Sequence, residues 1–206
     1  MTRFLAGALA IAVAIAGCAQ IRDITNALSQ LSNLQFKLGS VNNFRLAGVE
    51  LAKVSDPKRL SISDGLSLTQ AFARKSLPAS FTLNVEARNP NTGQGGTRKT
   101  SVTLTGLDWR LLIDDVPTIT GNIERSVEIP GNQQASIVPL GVGLDLYEFF
   151  GNRGYDGLMN LAMAVGGASG SSANLKLDAK PTVTTPFGPM TYPKRLTIVD
   201  KEFRGS

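Results

Sequence analysis

Few side chains in this sequence could do chemistry, and their types narrow what that chemistry would be. There is one cysteine, Cys18, and no histidine. Without an imidazole, Ser-His-Asp and Cys-His nucleophilic sites and the common zinc and non-haem iron ligand sets are excluded. Carboxylate chemistry of the glycosidase kind stays open, since two acids flanking a bond suffice for it. Its candidates are Asp108, Asp114, Asp145 and Asp156. Asp114 adjoins Asp115, but adjacent residues of a strand point to opposite faces, so this pair reads as a turn or a strand end. Gly93, Gly95 and Gly96 precede no helix and lack the lysine and hydroxyl of a phosphate loop. The chain is therefore expected to be noncatalytic, with no cofactor and no metal.

The surroundings of Cys18 give its thiol a different use. Thr2 and Arg3 are followed by an uncharged apolar run from Phe4 to Ala16, and then by Gly17. A basic start, a short apolar run and small residues make an export signal; about 13 residues fall short of the roughly 20 that span a bilayer. Ile15-Ala16-Gly17-Cys18 resembles the bacterial lipobox, with Ile15 where leucine is usual. That resemblance implies cleavage before Cys18, acylation of its thiol with fatty acids such as palmitate, and attachment to a membrane outside the cytoplasm. Ala19, where aspartate would retain the protein at the inner membrane, implies the periplasmic face of the outer membrane. The expected organisation is a signal peptide over 1–17, a lipidated cysteine and helical tether over 18–40, and one domain over 41–206.

Charge and length limit the partners. The formal net charge is +5, and the basic residues never form a block longer than a pair, so no nucleic-acid surface is expected. The excess suits weak attraction to anionic lipid headgroups. With its only cysteine in the anchor, the mature chain has no disulfide and must rely on a hydrophobic core.

Periodicity then separates tether from domain. Ile21, Ile24, Leu28 and Leu31 form a narrow apolar seam, which predicts a helix over Ala19 to Phe36. From Asn42 the period falls to two. The first strand is expected over Phe44 to Val54, irregular near Gly48, with Ser67 to Arg74 a helical turn or connection. Ala79, Phe81, Leu83, Val85 and Ala87 alternate with polar residues, predicting a strand with one buried face. It stops at Asn89-Pro90-Asn91. Here Asn89 can bond its own backbone, Pro90 fixes φ, and Asn91 can take the left-handed region. A hairpin or arch leads to a strand with Val102 and Leu104, then Leu107, Trp109, Leu111 and Ile113, bulged at Gly106. Ile119 to Ile129 reads as a strand, and Val138 to Leu146 as another, with Pro139 pointing to an edge or a strand entry. Asp156 to Val165 predicts a helix capped by Asp156. Ala173 to Thr185 and Met190 to Phe203 form the last strands around Pro186-Phe187-Gly188-Pro189. About seven strands with one main helix favour an all-β sandwich of the fibronectin or immunoglobulin kind over α/β.

The order of Asn89-Pro90-Asn91, Trp109, Gly121 and Val138-Pro139-Leu140 resembles the WHy domain, or late embryogenesis abundant (LEA) type 2 family. The resemblance covers about residues 42–165, and extends toward Val199. It implies a fibronectin-like sandwich, no catalytic residues, and a part in desiccation or other water stress as a protector of other proteins, here in the envelope. Asn89, Pro90 and Asn91 are expected to be structural, and Trp109 to lie in the core. An alternative is a periplasmic binding module for a lipid, another apolar ligand or a partner complex, with Tyr147, Phe149 and Phe150 as a gate beside flexible glycines.

Overall fold

The computed structural model describes residues 33–51, 54, 59–93, 101–166, 175–185 and 188–200. Cys18 and most of the helix expected before Phe36 lie outside them. Strand β1 (Gln35–Leu46) begins inside the stretch read as helix and tether, so Gln35 and Phe36 are corrected to strand. Phe36 and Leu38 alternate with Gln35 and Lys37 and face the core, a period-two signal that overrides the helical seam. β1 turns at Ala47 and Gly48, both at positive φ, into β2 (Val49–Glu50). Leu46 lies opposite Val49, so the expected irregularity at Gly48 is a two-residue hairpin.

Helix α1 (Ile62–Ala73) replaces the short helical turn expected at Ser67. Ser61 caps it, accepting from the Asp64 amide at 3.1 Å. β3 (Pro78–Arg88) then runs through the first sheet, whose order is β2-β1-β3-β7, with β7 (Ala135–Asp145) at its edge. Pro139 sits on that edge strand opposite Asn84, where its missing amide costs no ladder bond on the outer side.

The chain arches from β3 into the second sheet. There β4 (Val102–Ile113) and β8 (Leu175–Thr185) pair at the centre. The register shift between Leu104 and Gly106 is the bulge read at Gly106. Each central strand is flanked by a divided one. The single strand expected over Ile119 to Ile129 is two, β5 (Val116–Gly121) and β6 (Val127–Ile129), both paired with β4. Between them the Asn122 side chain accepts from the Leu107 amide at 2.7 Å, standing in for the ladder. On β8 the partners are β9 (Gly188–Thr191) and β10 (Leu196–Ile198). The described residues thus hold ten strands, three more than the seven expected.

One main helical run closes the fold. It comprises α2 (Leu146–Phe150), a 3₁₀ turn and α3 (Gly154–Gly166). α3 starts before Asp156, which therefore lies in its first turn and is not its cap. Leu161, Ala162 and Val165 meet Phe44, Phe81, Ile113 and Leu146 in the core. Phe44 and Phe81 stack at 5.4 Å. Gly166 is needed here, since a Cβ would stand 1.9 Å from the Phe44 ring. The architecture is an all-β sandwich with one main helix, as expected.

Candidate functional site

The two ends of β3 collect the residues singled out from the sequence. At its C-terminal end, Asn89 and Asn91 are 0% and 1% exposed, the only buried polar residues among the described ones. Asn89 Oδ1 accepts from the Asn91 amide at 3.1 Å, and its Nδ2 donates to the Ile129 carbonyl at the end of β6 at 3.3 Å. Asn91 Oδ1 accepts from Asn33 Nδ2 at 3.3 Å. The Thr92 amide donates to the Pro90 carbonyl at 2.8 Å, closing the turn. These bonds tie the first sheet, the second sheet and the residues before β1 into one buried corner. Asn91 does so without positive φ, contrary to expectation. Its side chain is needed as an acceptor, and the turn is closed by Pro90 and then by Gly93 at φ 88°.

Trp109 is buried as expected, and Gly121 is its cross-strand partner. A Cβ at position 121 would lie 2.3 Å from the indole, so glycine is what lets the ring fold over β5. Trp109 Nε1 has no hydrogen-bond partner among the described residues. Val138-Pro139-Leu140 lies opposite Val85, Asn84 and Leu83 of β3. The residues that carry the family resemblance are therefore neighbours in two cross-strand pairings and one buried turn.

At the N-terminal end of β3, Asp145 organises the helices. Its carboxylate accepts from the Leu77 amide at 2.7 Å, Ser76 Oγ at 2.7 Å and the Tyr147 amide at 2.9 Å, capping α2. Burial pushes this carboxyl up, but the hydrogen bonds from Leu77, Ser76, Tyr147 and Glu148 outweigh it and hold it below its ordinary value. Tyr147 packs edge-on against Phe72 of α1 at 5.4 Å, and Phe72 meets Tyr155 at 5.5 Å. Phe150 is buried in the core with the Arg153 guanidinium 4.8 Å over its ring, and Phe149 is half-buried 6.4 Å away. The three aromatics thus occupy packed positions on one helix. A cavity of about 420 Å³ lies nearby, between the start of α1 and the start of α3, lined by Leu60, Ile62, Tyr155 and Met159. Sequence reasoning missed it because it placed only the second half of α1, over Ser67 to Arg74, although Ser61 three residues before Asp64 is a helix-start signal.

The candidate carboxylates are scattered. Asp108 pairs with Arg195 at 2.8 Å, and Asp114 with Arg153 at 2.7 Å. Asp114 and Asp115, both at positive φ, form the β4–β5 turn. Asp156 is exposed on α3. Among the described residues no three metal-ligating side chains cluster, and no helix is long and apolar enough to cross a membrane.

No family model and no curated protein matches this chain. Among the solved structures six chains match, and the three that follow do so with little sequence identity. A crystal structure of a protein from Archaeoglobus fulgidus is 11% identical over 82% of this chain and 98% of its own, with a TM-score of 0.34. A solution structure of a candidate late embryogenesis abundant (LEA) protein is 13% identical over 91% and 83%, with a TM-score of 0.36. A solution structure of an Arabidopsis thaliana protein is 13% identical over 84% and 81%, with a TM-score of 0.33. At scores this low, the fold rests on the strand pairing described above.

Proposed function

We propose that this chain is a noncatalytic envelope lipoprotein whose WHy-type sandwich protects or binds envelope proteins under desiccation or other water stress. The observation that carries the reading is the buried asparagine corner. Asn89-Pro90-Asn91 ends β3, Val138-Pro139-Leu140 pairs with β3 in the first sheet, and Gly121 receives Trp109 in the second. The elements of the family resemblance thus support one another within one core, as parts of a common scaffold would. Acylated Cys18 holds that scaffold at the outer membrane, facing the periplasm, and its partners are envelope proteins. The test is drying of a model envelope enzyme with the purified lipoprotein in detergent micelles. Aggregation is expected to fall well below that with an inert lipoprotein of equal mass; equal aggregation would refute protection.

A second reading is favoured by the cavity of about 420 Å³ beside Tyr155 and Met159. It makes the domain a carrier of a small apolar ligand. Native mass spectrometry should then find a copurifying molecule, and a bare protein mass would count against it.

A further inference from the structure

Helix α1 turns one face into the fold and leaves the other bare. At about 100° per residue, Gly65, Leu68 and Phe72 share the inner side, while Ile62, Leu66 and Ala73 fall together on the outer one. Leu68 is fully buried, whereas Ile62 is 93% and Leu66 57% exposed. Ser63, Thr69 and Gln70 flank that stripe, exposed and uncharged. A surface helix ordinarily carries charge on its wet face. The sole charged residue within α1 is Asp64, which lies on the opposite side and accepts from Ser61 Oγ at 2.6 Å.

Charge stands at the ends of the helix. Arg59 precedes it, and Arg74 and Lys75 follow it, all three exposed. Among the described residues none of these makes an ion pair, which is also true of Arg45, Arg125, Lys180 and Lys194 elsewhere in the fold, whereas Arg110, Arg153, Lys176 and Arg195 each meet a carboxylate. An uncharged apolar stripe between cationic ends matches a bilayer surface, with acyl chains for the side chains and phosphates for the cations. Water, by contrast, gains nothing from Ile62 and Leu66. The cavity beside Ile62 is lined by Leu60, Tyr155 and Met159 but also by Ser61, Asp156 and Asn160, and contact with a bilayer does not depend on it.

We propose that α1 is a membrane-contact helix: Ile62 and Leu66 insert beneath the headgroups of an anionic bilayer, and Arg59, Arg74 and Lys75 meet its phosphates. This contact is separate from the anchor at Cys18 and does not require it. It orients the domain with α1 toward the lipid.

The test uses full-length protein with Cys18→Ser, which removes acylation, labelled with a polarity-sensitive dye at Ala73→Cys. A second sample carries the dye at Thr105→Cys on β4. Both are mixed with phosphatidylglycerol–phosphatidylcholine vesicles containing brominated lipid. The dye at 73 should shift to the blue and be quenched, and the dye at 105 should not. Ile62→Asp with Leu66→Asp should raise the lipid concentration at the midpoint by about tenfold or more, since two buried apolar side chains are lost. Arg74→Glu with Lys75→Glu, which leaves the apolar stripe intact, should raise it less. A protein that sediments with the vesicles while the dye at 73 stays in water would overturn the α1 contact and leave the Cys18 anchor standing. A blue shift that grows with protein concentration without lipid would overturn it in favour of a second copy on this face.

Discussion

The two ends of β3 spend their unusual residues in opposite ways. At the asparagine end, polar side chains are buried and bonded to the Asn91 amide, to the Ile129 carbonyl and to Asn33. At the helical end, the apolar side chains of Ile62 and Leu66 reach the surface of α1, and a cavity opens between two helices. A buried polar group must find its partner inside the protein or be left unsatisfied, whereas an exposed apolar group is cheap to keep and free to meet a partner. The family-like motif is therefore a structural clasp, and the exposed apolar side chains lie at the end that the motif does not reach.

Substitutions at the two ends should separate these roles. The largest effect is expected at the clasp. Asn89→Ala leaves the Asn91 amide and the Ile129 carbonyl without their partner and should cost about 1–3 kcal/mol for each buried group stranded. Urea unfolding checks this, and a midpoint equal to wild type would remove the clasp.

Asp145 at the helical end comes next. Asp145→Ala strips the cap from α2 and the acceptor from the Leu77 amide, for about 1–2 kcal/mol. The same residue sets an acid limit. Its folded pKa is lowered, so its contribution is fully present above the unfolded value of about 3.9 and is lost as pH falls through the folded one. Wild-type stability should therefore drop below about pH 4 more steeply than that of Asp145→Asn, which has no charge there to lose. Parallel acid profiles would contradict this.

The smallest effect on stability is expected from Ile62→Ser with Leu66→Ser, within about 0.5 kcal/mol of wild type, because both side chains already face water. Thermal unfolding in the absence of lipid reads it. A large loss would mean that the stripe packs against the protein itself.

This division also explains what the sequence disclosed. Where one face of a strand is buried and the other wet, alternation alone locates it, as in Phe81-Leu83-Val85 and Val138-Leu140-Val142. Turn chemistry was equally legible at Asp114-Asp115 and at Gly106, because positive φ and a broken register leave local marks. Local signals fail where a side chain replaces backbone pairing. Asn122 fills the gap between β5 and β6, so an apparently continuous strand divides. They fail again where two periods compete: the seam ending at Leu31 was carried on through Phe36, although Phe36 and Leu38 already alternate. Of α1 only the second half was legible, as a helical turn over Ser67 to Arg74; the first half was not, because its outer face lacks the charge that marks a surface helix. That Asn89 reaches Ile129, forty residues on, is a long-range fact that no spacing in the sequence encodes.

In the proposed function this scaffold works at a membrane to which Cys18 attaches it. Intact mass and membrane fractionation of the native protein beside Cys18→Ser test it most directly. The account predicts a chain cleaved before Cys18 that carries added acyl mass and sediments with outer membranes, and a variant that lacks the acyl mass. An unacylated wild type recovered in the soluble fraction would contradict it.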